Sequence, residues 1–164
     1  MKTKKVALLG ISVALAMILS YIESQIPAIV PGVKIGLANI AIVFILYRLG
    51  WWQAIVVSAI RVLLMSFLFG NGLQVFIFSI VGATLSLAVM ILLKNLLGLS
   101  TIVVSIAGGI FHNVGQTVVA CFMLSTENYV LILPILLISG IISGAVIGLV
   151  AGWIVKRSEK WKLR

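Results

Sequence analysis

With 164 residues, 63% of them hydrophobic and only 9% charged, and a mean hydropathy of +1.32, the chain falls outside the soluble globular range and inside that of integral membrane proteins. A hydrocarbon core of ~30 Å takes about 20 residues per helix, which leaves room for about six spans and little loop; the apolar residues run consecutively, which excludes the alternating pattern of a transmembrane barrel. The net charge of +9 follows from basic residues flanking these spans, so no nucleic-acid partner is needed to explain it.

The expected fold is all-α: one transmembrane domain over residues 1–164, a six-transmembrane-helix bundle with helices at about 4–22, 35–48, 51–69, 73–94, 100–123 and 129–155. Lys2, Lys4 and Lys5 precede the first apolar run in the manner of a signal peptide. No small-x-small cleavage site follows before Glu23, so this stretch is read as an uncleaved first helix. The segment "SQIPAIVPGVKIGLANI" then interrupts the pattern, because Pro27, Pro31 and Gly32 forbid a regular helix where the second span should enter. The second helix is therefore short, and the irregular backbone either forms an exterior turn or caps an outer-half cavity.

The third run, "QAIVVSAIRVLLMSFLF", carries Arg61 near its centre. An arginine at that depth costs about 2.5–3.5 kcal/mol on translocon scales, so it needs a partner. The chain contains no aspartate, and its acids are Glu23, Glu127 and Glu159. Only Glu23, at the outer end of the first helix, can bend toward mid-depth. Arg61 therefore either contacts Glu23 or backbone carbonyls, or receives an anionic group of a ligand in bidentate fashion.

The fifth run contains "AGGIFHNVGQTVVAC", in which His112, Asn113 and Gln116 share one helical face with Gly109. That face cannot point at lipid. Polar bonds between helices account for one or two such residues. For three, with Asn39 and Gln74 in the outer halves of the second and fourth helices, a shared substrate cavity completed by Arg61 is expected. His112 is the only histidine, and zinc needs three or four ligands, so no metal and no cofactor are expected. Cys121, a lone cysteine in an apolar run, reads as a small packing residue.

The sixth run, "SGIISGAVIGLVAGW", repeats Gly140, Gly144, Gly148 and Gly152 every fourth residue. Such a face lets two helices touch backbone to backbone, either within this bundle or against another membrane protein. The first helix has a looser version in Gly10 and Ala14. Beyond the sixth run, "KRSEKWKLR" reads as an anchor on an anionic membrane surface. If the N-terminus is cytoplasmic, ten of the twelve basic residues lie inside, with Lys34 outside and Arg61 within a span. This asymmetry fits a multi-pass protein of the plasma membrane with both termini in the cytoplasm.

"PGVKIGLANI", the intramembrane Arg61 and "GGIFHNVGQ" together resemble, over essentially the whole chain, the small membrane-protein family labelled Gx transporter or heptaprenyl diphosphate synthase component I. That family in turn resembles the S components of energy-coupling-factor (ECF) transporters. The resemblance implies six helices, an outward-facing ligand pocket, and a small-residue face, here Gly10 and Ala14, that meets a transmembrane T subunit driven by two ATPases.

Two functions follow as expectations. In the first, the chain is an S-component-like subunit of an uptake transporter: it binds a polar or anionic small-molecule substrate from outside through Arg61, Asn39, Gln74, His112, Asn113 and Gln116, and relies on partner ATPases. In the second, it is a non-catalytic membrane accessory subunit of a heptaprenyl or polyprenyl diphosphate synthase. Neither makes the chain itself an enzyme. Prenyl-diphosphate chemistry needs carboxylates to hold Mg²⁺, and aspartate is absent; ATP hydrolysis needs a GxxxxGK[ST] loop, also absent.

Overall fold

The structure, a computed structural model, describes residues 2–25, 36–68, 72–124 and 129–159. Pro27, Pro31, Gly32, Lys34, Glu127 and the basic tail from Lys160 onward lie outside the described residues. Six helices follow in chain order: α1 (Lys2–Gln25), α2 (Asn39–Arg48), α3 (Trp51–Leu68), α4 (Gly72–Leu97), α5 (Thr101–Leu124) and α6 (Tyr129–Ser158). The all-helical fold matches the expectation. Five of the helices are long and apolar enough to cross a membrane.

The exception is α2. Its 10 residues cover ~15 Å, about half of a hydrocarbon core. The second helix starts at Asn39 and not near residue 35, because Gly36 holds φ +76, a left-handed conformation that an α-helix cannot contain. The shortness is compatible with its position at the centre of the bundle. Ala41–Leu46 are six consecutive buried residues, as expected of a helix that is apolar all round. Around it pack α1, α3, α5 and α6. The core continues through Val57, Leu87, Met90, Val104, Ile147 and Ala151.

Without a hydrophobic driving force between helices in lipid, close backbone approach has to supply the contact energy. The most extensive packing is α5 on α6, followed by α4 on α5, and both interfaces run along glycines. A Cβ at Gly144 would lie 2.6 Å from Ile106 Cα, and one at Gly148 2.6 Å from Ile102 Cα. At Gly109 it would collide with the carbonyl oxygen of Gly140. The residues left exposed are those lipid tolerates: Phe67, Leu73, Leu96, Phe122, Leu131 and Trp153 all stand on the outer surface.

One pole of the bundle is basic and laced by side-chain to backbone bonds. Arg48 Nη2 donates to Ser158 O at 2.7 Å, Lys94 Nζ to Leu46 O at 2.6 Å, and Tyr47 Oη to Leu99 O at 2.6 Å. The Lys94 ammonium also lies 5.4 Å from the centre of the Tyr47 ring, within cation–π range. These bonds satisfy carbonyls at the ends of α2 and α6 and in the α4–α5 turn, groups that no helix can satisfy alone. Exposed Lys156 and Arg157 add to the positive charge of the same pole.

Candidate functional site

The polar residues of α5 fall between helices. A Cβ on Gly82 of α4 would stand 3.0 Å from His112 Cε1 and 3.1 Å from Gln116 Cγ. Gly82 is therefore the notch into which both side chains fit. Asn113, one step round the helix, turns to α6 and donates from Nδ2 to Leu136 O at 2.5 Å. Its own carbonyl accepts the Thr117 hydroxyl at 2.9 Å. Asn113, Gln116 and Thr117 are all buried. The face is shared as expected, but His112 and Gln116 pack on α4 while Asn113 binds α6.

Arg61 takes part in a different group. The charge that acts on it is the carboxylate of Glu23, the partner that elimination among the acids picks out. Glu23 Oε1 also accepts the backbone N–H of Gly36 at 2.5 Å. Gly36 opens the turn into α2 by accepting from Asn39 N at 2.8 Å, and the Asn39 side-chain amide lies beside it: a Cβ at Gly36 would be 3.3 Å from Asn39 Nδ2. One carboxylate thus ties α1 to the entrance of α2 and acts through its charge on an arginine of α3. A left-handed glycine is needed there because a side chain would both strain the backbone and crowd Asn39.

His112 and Gln116 meet Gly82, Asn113 binds Leu136, and Asn39 lies beside Gly36, whose N–H Glu23 holds while its charge acts on Arg61. Gln74 joins none of these by burial. It is exposed in the first turn of α4, where an amide can reach water and needs no protein partner. The glycine stripe of α6 follows the within-bundle reading and not the partner-docking one. Gly140, Gly144, Gly148 and Gly152 face Gly109, Ile106, Ile102 and Thr101 of α5, so this face is filled within the chain and is not open to a partner. Gly10 and Ala14 differ, being exposed on α1 with no neighbouring atom within 4 Å of a Cβ at Gly10. Among the described residues no group of three or more His, Cys, Asp or Glu could hold a metal. Cys121 is a free, half-buried thiol.

Sequence reasoning missed an apolar groove of about 490 Å³ between α3 and α4. Its walls include Trp51, Ile55 and Ala59 on one side and Ala83, Leu87 and Ile91 on the other, with Ser58 and Thr84 as the polar exceptions. The signal was present as the small residues Ala59, Ala83 and Ala88, all in the lining, but small residues also mark tight packing. Only the tertiary arrangement of α3 and α4 distinguishes a groove from a seam.

Residues 12–154 match the family described as heptaprenyl diphosphate synthase component I. The chain belongs to that family. No curated protein and no solved structure matches it. As a component I family member it combines a synthase label with a membrane bundle. Its acids, all glutamates, are three in number, and one of them, Glu23, accepts the Gly36 N–H and acts by its charge on Arg61.

Proposed function

We propose that this chain is a non-catalytic, membrane-embedded subunit of a prenyl diphosphate synthase assembly, which seats a soluble catalytic subunit against the bilayer. The observation that carries the reading is the pairing of component I family membership with a complete lack of aspartate. Condensing prenyl diphosphates requires Mg²⁺ held by carboxylate oxygens around a diphosphate. A chain with three glutamates in all has no such cluster to offer, so the chemistry belongs to a partner. The product of chain elongation is a long hydrocarbon that partitions into membrane, and a membrane subunit gives the catalytic chain a place to deliver it. The basic pole with exposed Lys156 and Arg157 is the natural seat for such a partner, and it lies on the cytoplasmic side of the plasma membrane with both termini.

The test is affinity capture of the tagged chain from native membranes, followed by a chain-elongation assay on the eluate. Recovery of a soluble prenyl synthase whose membrane-bound activity falls when this chain is deleted supports the proposal. Recovery of a transmembrane subunit with ATPases in its place overturns it.

A second reading, an S-component-like subunit for uptake of an anionic or polar small molecule, is favoured by one observation. The α1 face with Gly10 and Ala14 is uncovered, where a small-residue contact with a T subunit would form. In that reading Arg61 and Asn39 hold the substrate in the outer half of the bundle, and Glu23 gives up part of its hold on Arg61 as the anion arrives. Binding of a small anion that is lost in Arg61→Gln would be its signature.

A further inference from the structure

Arg61 is a cation that its surroundings answer incompletely. The charge acting on it is that of Glu23, and this carboxylate already spends Oε1 on the Gly36 N–H. Among the described residues Arg61 makes no hydrogen bond or ion pair. A guanidinium carries five N–H donors, and in a membrane span donors without acceptors are costly. The synthase-subunit role gives this residue nothing to do.

Its position adds to the imbalance. Arg61 on α3 and the start of α2 at Asn39 both lie about 15 Å from the turn at Leu49 and Gly50 that joins the two helices, at 1.5 Å per residue. That is half of a ~30 Å hydrocarbon core. α2 therefore stops near the midplane, and no side chain caps it, its N-cap being Ala38. The positive end of its dipole opens at the level of Arg61. Glu23 joins the two, bonded to Gly36 at the entrance of α2 while its field reaches Arg61. The Asn39 side-chain amide lies beside the same glycine, half-buried and without a hydrogen bond among the described residues. Half-length helices whose N-termini stop at the midplane are a means by which membrane carriers hold the anionic group of a substrate. Here a guanidinium, an amide and a helix N-terminus bring donors, and Glu23 is the acceptor set among them.

Charge selects the ligand. Arg61 contributes one positive charge, Glu23 one negative charge and the α2 terminus about +0.5, a sum of about +0.5. One carboxylate brings the group to about −0.5, whereas a phosphate dianion takes it to about −1.5, and a diphosphate further, in a region of low dielectric. The guanidinium fork also matches the two oxygens of a carboxylate. The wall on the α1 and α2 side is small and apolar, with Ala16, Ala38 and Ala41 buried and Leu19 packed against them. It gives a short hydrocarbon body a surface to lie on and adds no charge.

We infer that Arg61, the Asn39 amide and the N-terminus of α2 form a mid-membrane site for a small monocarboxylate, and that Glu23 sets its selectivity against dianions. The inference deepens the uptake reading and rests on it for the source of the ligand; the site goes beyond the synthase-subunit role, which does not use it.

The experiment uses the purified full chain in nanodiscs of phosphatidylcholine at pH 8, with arginine side chains isotope-labelled. Butyrate is titrated and, separately, inorganic phosphate, and the guanidinium resonance that disappears in Arg61→Gln is followed by nuclear magnetic resonance. The expected result is a saturable shift of that resonance with butyrate and binding of phosphate at least about tenfold weaker. Binding of carboxyl-labelled butyrate, read from its own resonance, falls at least about tenfold in Arg61→Gln, falls less in Asn39→Ala and is unchanged in Lys156→Gln at the basic pole. Glu23→Gln keeps an acceptor for Gly36 while removing the charge, so it strengthens butyrate binding several-fold and narrows the gap to phosphate. A purely structural Arg61 would show neither change. Binding that does not saturate, that survives Arg61→Gln, or that weakens in a folded Glu23→Gln variant overturns the inference. Where Arg61→Gln does not fold, the opposite signs expected at Glu23 and Asn39 decide in its place. Failure here with a transmembrane subunit and ATPases captured from membranes removes the site and leaves the uptake role; binding here with a prenyl synthase captured removes that role and leaves the site.

Discussion

The side-chain amide of Asn113 on α5 donates to the main-chain oxygen of Leu136 on α6 at 2.5 Å, in a buried position. The bond crosses the interface where the two helices approach most closely, near Gly109 and Gly140. Glycine permits the approach, and the approach brings a carbonyl within reach of a short amide. Lipid offers Asn113 no alternative partner, so the bond also fixes which face of α5 meets α6.

Replacing Asn113 with Leu removes this bond and inserts a branched side chain beside Gly140. Interhelical hydrogen bonds in membranes are worth about 0.6–2 kcal/mol, so a loss of ~1 kcal/mol or more in unfolding free energy is expected. Reversible unfolding in mixed micelles measures it. Unchanged stability would mean that Asn113 contributes no interhelical bond.

The glycines of the two interfaces should differ sharply from Gly10. Gly144→Ala places a methyl 2.6 Å from Ile106 Cα and 2.7 Å from Ser105 O, both backbone atoms that cannot step aside. Overpacking of this kind costs about 1–3 kcal/mol. Gly10→Ala meets nothing within 4 Å and gains helix propensity, so it should be neutral or slightly stabilising. Melting temperatures of the two variants in the same detergent decide the matter.

Glu23→Gln leaves Arg61 in a membrane helix without its charge partner. A contacting buried pair broken from one side loses about 3–5 kcal/mol; Glu23 acts on Arg61 through its charge and not through an ion-pair contact, so a smaller loss is expected. Arg61→Met should rescue the Glu23→Gln variant, since it removes the unpaired cation. A double-mutant cycle read by unfolding tests this, and purely additive effects would show that the two residues do not interact.

Arg48 holds the last carbonyls of α6 through Ser158 O. Arg48→Ala should leave the fold intact while loosening the final turn, so amide exchange over residues 155–158 should rise several-fold relative to the α6 centre. Exchange that stays equal along α6 would assign the turn's order to Ser158 Oγ, which donates to Val155 O at 2.8 Å.

How much of this was legible in the sequence differs from residue to residue. That Glu23 is the acid whose charge reaches Arg61 could be read by elimination among three glutamates, while carbonyls or a ligand anion stayed open as further partners. The brevity of the second helix was announced by Pro27, Pro31 and Gly32, although its start at Asn39 was set by the positive φ of Gly36. The common face of His112, Asn113 and Gln116 follows from helical periodicity, which fixes relative angles along one element.

The sequence by itself determined the membrane class, the count and order of six helices and the lack of carboxylates for diphosphate chemistry. These are properties of composition and of periodicity within single helices. Only the tertiary structure decided which neighbour each face met: that the glycine stripe of α6 is closed by α5, that Gln116 fits against Gly82 while Asn113 reaches Leu136, and that α3 and α4 part to leave a groove. The physical reason is that helix-on-helix choice in lipid depends on shape matching between surfaces far apart in the chain, and one helix's residue spacing carries no record of its partner's relief.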